Sequence, residues 1–398
     1  MKILMLTPYL PYPPSSGGQI RSYNLIKELS KKHKITLCAL VKYDSDRKNI
    51  NMLSPFCEKI YIFNRPQKPW TLSNILATGF SPYPFLVIRN YSNEEKKTLP
   101  KIINEGDFDI IHAETFYVSP HIPEVNIPVV LVDQTLEYQV VQHYVNTYRY
   151  PILKPLLYID VAKLKYWETY YWKRAAEVVA VSESDAAFMA KTINRRVTVI
   201  PNGVSEDFID DLPLHYNKTI LFQGNYEWLQ NGEAARVLVN QVFPRVLKEI
   251  PDAKVIISGQ NTQSVQSLRS ENVILNELKV DDVAGVQKAI RTAGVMVAPL
   301  YGPGGTRLKI LSSMAARTPV VTTKVGIAGI GKKDEHYLEG NTPEELARET
   351  VRVLNDKKLY ALVADNARKL VEKEYSYKII ADKLTEVYER AKHATSNN

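Results

Sequence analysis

The amino-acid sequence predicts an α/β protein made of two domains, each a parallel β-sheet flanked by helices. The main observation is a pattern that occurs twice: an apolar strand, a glycine-containing loop, an amphipathic helix and a second strand. It spans residues 3–41 and, in the other half of the chain, residues 295–321. Strands that alternate with helices favour a parallel sheet. With 398 residues, the chain is long enough for two domains with cores of their own.

Short apolar runs predict the strands in both halves of the chain. In the first half they lie at residues 3–6, 35–41, 60–63, 108–114, 128–132, 175–182 and 197–200, and in the second half at residues 219–222, 255–259, 273–275, 295–300 and 320–321. Residues 70–89, rich in proline and aromatic side chains, are predicted as an insertion. The stretch 207–217 is polar and lacks periodicity. We therefore predict an N-terminal domain of residues 1–206, a C-terminal domain of residues 207–376, and a disordered tail at residues 394–398.

Composition and charge limit the classes of function. The net charge is +8, but the cations are spread along the chain and no nucleic-acid-binding motif accompanies them, so we expect no nucleic-acid partner. Cys38 and Cys57 are too few for a disulfide framework or a zinc site, and they fit a reducing cytosol. The N-terminus has the pattern of a first strand rather than a signal peptide, and no apolar run approaches membrane-spanning length. We expect a cytoplasmic protein.

Each half of the chain has a glycine loop ahead of a helix. The first ends at Gly17 and Gly18, and the second contains Gly304 and Gly305, with Thr306 as the expected helix cap. Such a loop presents free N–H groups and the positive end of the helix dipole, which suits a phosphate. Neither loop has the G-x-G-x-x-G spacing, which argues against a nicotinamide cofactor.

Two cations in the first turn after the second loop, Arg307 and Lys309, strengthen the phosphate prediction. Cations at this end of a helix oppose its dipole, so their presence favours an anionic ligand. The alternative is an ordinary strand–helix turn with two solvated cations. We favour the phosphate site.

Two glutamates follow predicted strands at the edge where open α/β sheets bind ligands. Glu114 ends one strand, and Glu137 lies shortly after the next. Either could serve acid–base chemistry or hold a substrate hydroxyl, and the alternative is a pair of solvated loop carboxylates. His112 is predicted to be a hydrogen-bonded structural residue rather than a catalyst.

Residues 144–174 interleave aromatic side chains with lysine and arginine. One interpretation is a surface that contacts a membrane or a lipid-linked substrate. The other, which we favour from the sequence, is a long helix that packs Leu156, Leu164, Trp167 and Tyr171 on its own domain.

Four segments carry a resemblance to a known family: residues 7–29, 199–204, 302–323 and, more loosely, 108–138. Residues 311–320 (LSSMAARTPV), residues 11–29 (PYPPSSGGQIRSYNLIKEL) and residues 201–204 (PNGV) resemble the retaining family-four glycosyltransferases, also called glycosyl transferases group 1. The subgroup it resembles has a G-G-T-R-L-K donor loop. The resemblance implies the GT-B fold: two facing Rossmann-like domains with a cleft between them, and a C-terminal helix (residues 377–393) that crosses back to the N-terminal, acceptor-binding domain.

The resemblance also implies a reaction and a set of site residues. A sugar would pass from a nucleoside diphosphate sugar to a glycan or lipid-linked acceptor, in the synthesis of cell-surface polysaccharide or glycoconjugates. No Asp-x-Asp or His-rich spacing occurs, so we expect no metal and no other cofactor. The expected catalytic residues are Glu114 and Glu137. The expected donor-binding residues are Gly17, Gly18, Gly224, Asn225, Asn231, Gly304, Gly305, Thr306, Arg307, Lys309 and Ser312.

The sequence departs from the family at three positions. Ser312 and Ala328 stand where the subgroup has glutamate, and Arg317 stands where a glycine is usual. A serine cannot hold two ribose hydroxyls as a carboxylate can. Two alternatives therefore stay open: a nucleotide-sugar epimerase, and a non-catalytic partner of an active transferase. A peripheral contact with the inner face of the cell membrane also stays open.

Overall fold

The computed structural model describes residues 1–209, 213–302 and 308–396. Within these residues the chain forms two compact units, each with its own parallel sheet. The first comprises Met1–Pro201 and the C-terminal residues from Ile380, and the second comprises the described residues between Asn202 and Ile379. The first unit ends at Pro201, before the boundary predicted at residue 206. Val204 already belongs to the second unit, because its N–H donates to the carbonyl of Tyr375 (2.8 Å) in that unit.

The sheet of the first unit has seven strands in the described residues, in the order β3-β2-β1-β4-β5-β6-β7. They are β1 (Lys2–Thr7), β2 (Lys34–Val41), β3 (Lys59–Asn64), β4 (Ile110–Glu114), β5 (Val129–Asp133), β6 (Glu177–Ala180) and β7 (Thr198–Val199). The helices are α1 (Gly17–Leu29), α2 (Leu72–Phe80), α3 (Phe85–Ile88), α4 (Asn93–Gly106), α5 (Glu137–Thr147), α6 (Lys154–Arg174) and α7 (Glu183–Ile193). Ile3, Leu4, Met5 and Leu6 of β1 are apolar and completely buried, as expected for an inner strand of a parallel sheet that helices cover on both faces.

The sheet of the second unit has six strands in the described residues, in the order β10-β9-β8-β11-β12-β13. They are β8 (Thr219–Asn225), β9 (Lys254–Gln260), β10 (Val273–Glu277), β11 (Val295–Ala298), β12 (Val320–Thr322) and β13 (Leu338–Glu339). The helices are α8 (Leu229–Val237), α9 (Phe243–Glu249), α10 (Val283–Thr292), α11 (Leu308–Ala315), α12 (Lys324–Ile327), α13 (Pro343–Asn355) and α14 (Lys357–Glu374). A last helix, α15 (Tyr377–Ser396), follows.

Most of helix α15 belongs to the first unit, where it packs on the sheet. Leu384, Val387 and Tyr388 are completely buried there, and Lys392 donates to Asp109 Oδ1 (2.5 Å) at the start of β4. The chain therefore returns to its N-terminal sheet, as the family resemblance implies. Residues 394–396, which were expected in a disordered tail, continue the helix, since they include neither proline nor glycine.

The insertion predicted at residues 70–89 contains the helices α2 and α3. The structure corrects three local predictions. The strand predicted at residues 197–200 shortens to β7. The strand predicted at residues 295–300 ends at Ala298, because the Leu300 N–H donates back to the Ala298 carbonyl (2.9 Å) and turns the chain. Leu156, predicted to pack on its own domain, is exposed, whereas Leu164 is buried as predicted.

Candidate functional site

The loop between β1 and α1 is fixed by its own polar side chains. Ser16 caps α1 by accepting a hydrogen bond from the Gln19 N–H (3.4 Å), and Gln19 Nε2 donates to the carbonyl of Leu10 (3.0 Å). A Cβ atom at Gly18 would collide with the phenol of Tyr9. Position 18 therefore has room only for glycine, and this close approach accounts for one of the two glycines that the sequence singled out.

A buried chain of hydrogen bonds lies under this loop, at the carboxyl end of β4. Glu114 is completely buried. Its Oε2 lies 2.7 Å from His112 Nε2, and its Oε1 accepts from Gln134 Nε2 (2.6 Å). Tyr388 Oη lies 2.6 Å from His112 Nδ1, so the network joins helix α15 to the sheet. His112 is thus the hydrogen-bonded structural residue that the sequence predicted.

The cation that faces Glu114 is Arg21, which is also completely buried. Its Nε lies 3.4 Å from Glu114 Oε1, and its Nη1 donates to the carbonyl of Pro201 (2.8 Å). Burial alone would raise the pKa of Glu114, but the hydrogen bond and charge of His112 and the charge of Arg21 bring it below its ordinary value. Glu114 is therefore an ionised carboxylate held by the protein's own donors.

Glu137, the second predicted catalytic residue, has different surroundings. Its backbone N–H, like that of Tyr138, donates to the carboxylate of Glu168 (2.8 and 3.2 Å), which thereby satisfies the start of α5. Within the described residues the Glu137 carboxylate itself has no hydrogen-bond partner. Burial and the nearby charge of Asp133 raise its pKa to about 7, and the charge of Arg89 opposes them. The two glutamates therefore differ. Glu114 is ionised and its oxygens are held by His112, Gln134 and Arg21. Glu137 is able to exchange a proton near neutral pH.

Two arginines that the sequence analysis did not select lie in the same part of the first unit. Arg65 follows β3 and donates from Nη1 to Asn90 Oδ1 (2.6 Å), and Arg89 precedes Asn90 in the chain. The Nε atoms of both are buried without a hydrogen-bond partner in the described part of the chain. A cation that directly follows a parallel strand was the signal in the sequence that could have identified Arg65.

In the second unit, the structure brings together four of the predicted donor-binding residues. Gly224 and Asn225 end β8. Asn231 Nδ2 donates to the Asn225 carbonyl (2.8 Å), and Lys309 Nζ donates to Asn231 Oδ1 (2.7 Å). A Cβ at Gly224 would press on the Asn231 side chain at 2.8 Å, so glycine lets this amide approach the strand end. These residues form a polar cluster at the carboxyl edge of the second sheet.

The position of Lys309 is also fixed by an aromatic ring. Its ammonium lies 4.5 Å from the centre of the Phe222 ring, a cation–π arrangement. Ser312, partly exposed, follows one turn later on α11. The predicted residues Gly304, Gly305, Thr306 and Arg307 lie outside the described residues.

Arg317 explains how the chain tolerates a departure from its relatives. Its φ is +58°, in the left-handed region that favours glycine. The guanidinium donates from Nε to Asp365 Oδ1 (2.9 Å), an ion pair to α14 that a glycine could not make. The arginine therefore offsets backbone strain with a contact to the next helix.

Two further points concern metal ions and membranes in the described residues. No three His, Cys, Asp or Glu side chains come together there to hold a metal ion. No described helix combines the length and the apolar character needed to cross a bilayer.

Models of glycosyltransferase families match both halves of the chain. The model of Glycosyltransferase Family 4 matches residues 15–208, and that of Glycosyl transferases group 1 matches residues 217–356. The protein is a glycosyltransferase. The matched regions meet at the polar stretch on which the predicted domain boundary rests.

Individual relatives of this glycosyltransferase agree with the family models. Phosphatidyl-myo-inositol mannosyltransferase of Mycobacterium leprae is 27% identical over 300 residues, covering 72% of this chain and 74% of the relative. Anabaena HepE in complex with UDP and glucose has a TM-score of 0.66 at 16% identity, over 98% of this chain and 99% of that chain. Sucrose-phosphate synthase of Thermosynechococcus elongatus has a TM-score of 0.71 at 16% identity, over 99% of this chain and 100% of that chain. The two parallel-sheet units are those of a GT-B glycosyltransferase.

Proposed function

We propose that this glycosyltransferase moves a sugar, with retention of configuration, from a nucleoside diphosphate sugar to a glycan or lipid-linked acceptor. Binding of the nucleoside diphosphate sugar is proposed from one observation, the polar cluster at the carboxyl edge of the second sheet. This cluster comprises Gly224, Asn225, Asn231 and Lys309. Open α/β sheets bind nucleotides at this edge. The complexes of HepE with UDP and with UDP-glucose add support.

The chemical need at this site is to neutralise a leaving diphosphate. When the bond between the sugar and the diphosphate breaks, negative charge grows on the phosphate oxygens. Lys309, oriented by Asn231 and by the Phe222 ring, supplies a positive charge whose position is fixed before the reaction. Arg307 and the glycine-loop amides are proposed to act with it. This arrangement lets the side chains do what a metal ion does in other transferases, so we propose a metal-independent reaction.

Glu137 is the proposed contact for the acceptor hydroxyl. With a pKa of about 7 and no hydrogen-bond partner in the described part of the first unit, its carboxylate is able to accept the hydroxyl proton as the new bond forms. Glu114, predicted at first for the same role, is better suited to hold Arg21 and the first glycine loop in place, because its oxygens are already engaged.

The acceptor class is also part of the proposal. The Mycobacterium leprae relative is named for a phosphatidylinositol acceptor, which supports a lipid-linked one here. We place the reaction in cell-surface polysaccharide or glycoconjugate synthesis, at the inner face of the cell membrane.

The test is thermal stabilisation by a panel of nucleoside diphosphates and their sugars, followed by turnover of the donor that binds. A ligand of the folded state raises the apparent stability in proportion to its occupancy. We expect one base to give a clear shift, and its sugar to be transferred when an acceptor is added. Isomerisation of the donor without any acceptor would identify an epimerase instead, and stabilisation by none of the panel would contradict the donor site.

A further inference from the structure

An ordinary surface helix turns its apolar side to the protein, whereas α2 turns its apolar side to the solvent. Leu72, Ile75, Leu76 and Phe80 recur at the spacing of one helical stripe and are all exposed, Phe80 to 90%. The polar Asn74 faces inward, where its Nδ2 donates to the carbonyls of Lys68 (3.3 Å) and Pro69 (2.8 Å). These hydrogen bonds fix the turn that leads into the helix, and the apolar side of the helix faces outward.

The turn that precedes α6 and the first residues of α6 add a second apolar stripe. Ile152, Leu156 and Ile159 lie on one side of the chain here, exposed to 90%, 65% and 55%. The core contacts of this helix come from other residues, Val161 and Leu164, which are buried. The exposed stripe is thus additional to the one that holds α6 on its domain.

The two helices are neighbours, so the stripes adjoin. Lys163 on α6 donates from Nζ to the carbonyls of Thr78 (2.6 Å) and Ser81 (2.8 Å), at the end of α2. Trp167 Nε1 donates to the carbonyl of Pro82 (2.9 Å) in the following turn. We call the combined surface the apolar face. It comprises Trp70, Leu72, Ile75, Leu76, Phe80, Ile152, Leu153, Leu156 and Ile159.

Exposed apolar side chains concentrate in this part of the molecule. Of the 23 large hydrophobic side chains that are exposed in the described residues, 13 come from residues 70–80 and 148–166. Single exposed apolar residues are normal, but a large contiguous patch marks an interaction surface. The apolar face is such a surface.

The charges around the apolar face are almost all positive. Residues 66–93 and 138–167 contain six lysines and arginines but one acidic residue, Asp160, whereas the whole chain has 51 basic and 43 acidic residues. Asp160 is engaged internally, since its Oδ1 accepts from the Phe85 N–H (2.8 Å). Lys68, which is close to Trp70 in the chain, and Arg149, which is close to Ile152, are exposed. An occupant of this face therefore meets apolar side chains framed by cations.

We propose that the apolar face docks on the surface of a membrane that contains anionic lipids. Apolar side chains at the level of the acyl boundary, with aromatic rings and cations at the headgroups, are the pattern of a helix that lies in a membrane interface. Tyr148, Tyr150 and Tyr158 supply exposed rings beside the cations. A second copy of the chain fits less well, because a two-fold dimer would bring the cations of this face, Lys68 and Arg149, against their own copies.

The experiment is flotation of the full chain with vesicles of phosphatidylcholine, alone or mixed with phosphatidylglycerol. The test variant is Phe80→Ser/Ile152→Ser, whose two side chains are almost fully exposed and so contribute little to folding. The matched control is Ile274→Ser/Leu362→Ser, which removes two exposed apolar side chains from the second unit. Binding needs neither donor nor acceptor, so the result is independent of the transferase reaction.

We expect the wild type to bind the mixed vesicles more strongly than phosphatidylcholine alone, and less strongly as the salt concentration rises. The test variant should bind at least about tenfold more weakly than the wild type, because two apolar side chains no longer enter the interface. The control variant should bind like the wild type. Equal binding by both variants, or no binding of the wild type to either vesicle, would overturn the proposal. A dimer in solution that the test variant dissociates would overturn it in favour of a second copy.

Discussion

The buried pair of Arg21 and Glu114 yields the prediction that the structure defines most closely. Both side chains are completely buried, with 3.4 Å between Arg21 Nε and Glu114 Oε1. Arg21→Met leaves a carboxylate in the core, and Glu114→Gln leaves a guanidinium there. Removing one partner of a buried ion pair costs about 3–5 kcal/mol. The double variant removes both charges, so we expect its cost to fall short of the sum by about 2–3 kcal/mol.

The assay is urea unfolding followed by tryptophan fluorescence. Of the four tryptophans, Trp172 is completely buried in the first unit, whereas Trp228 of the second unit is largely exposed. The fluorescence change therefore reports mainly on the unit that contains the pair. The midpoint should shift with little change in the slope of the transition. Additive costs, or a loss below about 1 kcal/mol for each single variant, would show that the two charges do not depend on each other.

The same pair predicts a pH dependence. The pKa of Glu114 lies below its ordinary value in the folded state, so the ionised carboxylate stabilises the fold at pH values above the unfolded pKa, about 4.3. This stability is lost as the pH falls through the folded pKa. In Glu114→Gln the corresponding step should be absent from a plot of unfolding free energy against pH, and a wild-type step of equal size in the variant would contradict the assignment.

Further predictions concern the two candidate catalytic regions. In Arg89→Met, a charge that lowers the pKa of Glu137 is gone, so that pKa should rise above about 7 and the acid limb of the pH–rate profile, below which the base is protonated, should move to higher pH; an unchanged profile would exclude Glu137 as the base. In Gly18→Ala, the new Cβ displaces the Tyr9 phenol, so turnover of the donor should fall at least about tenfold; full turnover would mean that the loop geometry is not needed.

Much of the fold could be predicted because its signals are local. The alternation of strands with helices, the glycine loops and the turn at Pro201–Val204 each depend on neighbouring residues. The same holds for the cap of α1, since Ser16 and Gln19 are three residues apart. Strand ends were less well predicted: β11 ends early through a turn within its own backbone, which leaves no mark in the side-chain pattern.

The site could be predicted in part, because its key contacts join distant residues. Lys309 and Asn231 were each selected, but the sequence could not show that one donates to the other across 78 positions. Arg21 follows the first glycine loop closely in the chain, but only the fold makes it the buried partner of Glu114. The apolar stripe of α2 has the periodicity of a core helix, and periodicity does not reveal which side faces the protein. These features depend on tertiary packing.

The most direct test of the central claim is a comparison of Lys309→Met with Lys357→Met by calorimetry. Like Lys309, Lys357 of the second unit lies over an aromatic ring, since its ammonium is 5.2 Å from the centre of the Tyr216 ring. Lys357→Met therefore shows the effect of losing a lysine stacked on a ring outside the proposed donor site. Each variant is titrated with the preferred nucleoside diphosphate and with the corresponding nucleoside. A charge-assisted hydrogen bond to phosphate contributes about 1.5–3 kcal/mol, or roughly ten- to a hundredfold in affinity. The account predicts this loss for the diphosphate with Lys309→Met alone, and no loss for the nucleoside with either variant. Unchanged affinity of Lys309→Met for the diphosphate would contradict the assignment of the donor site.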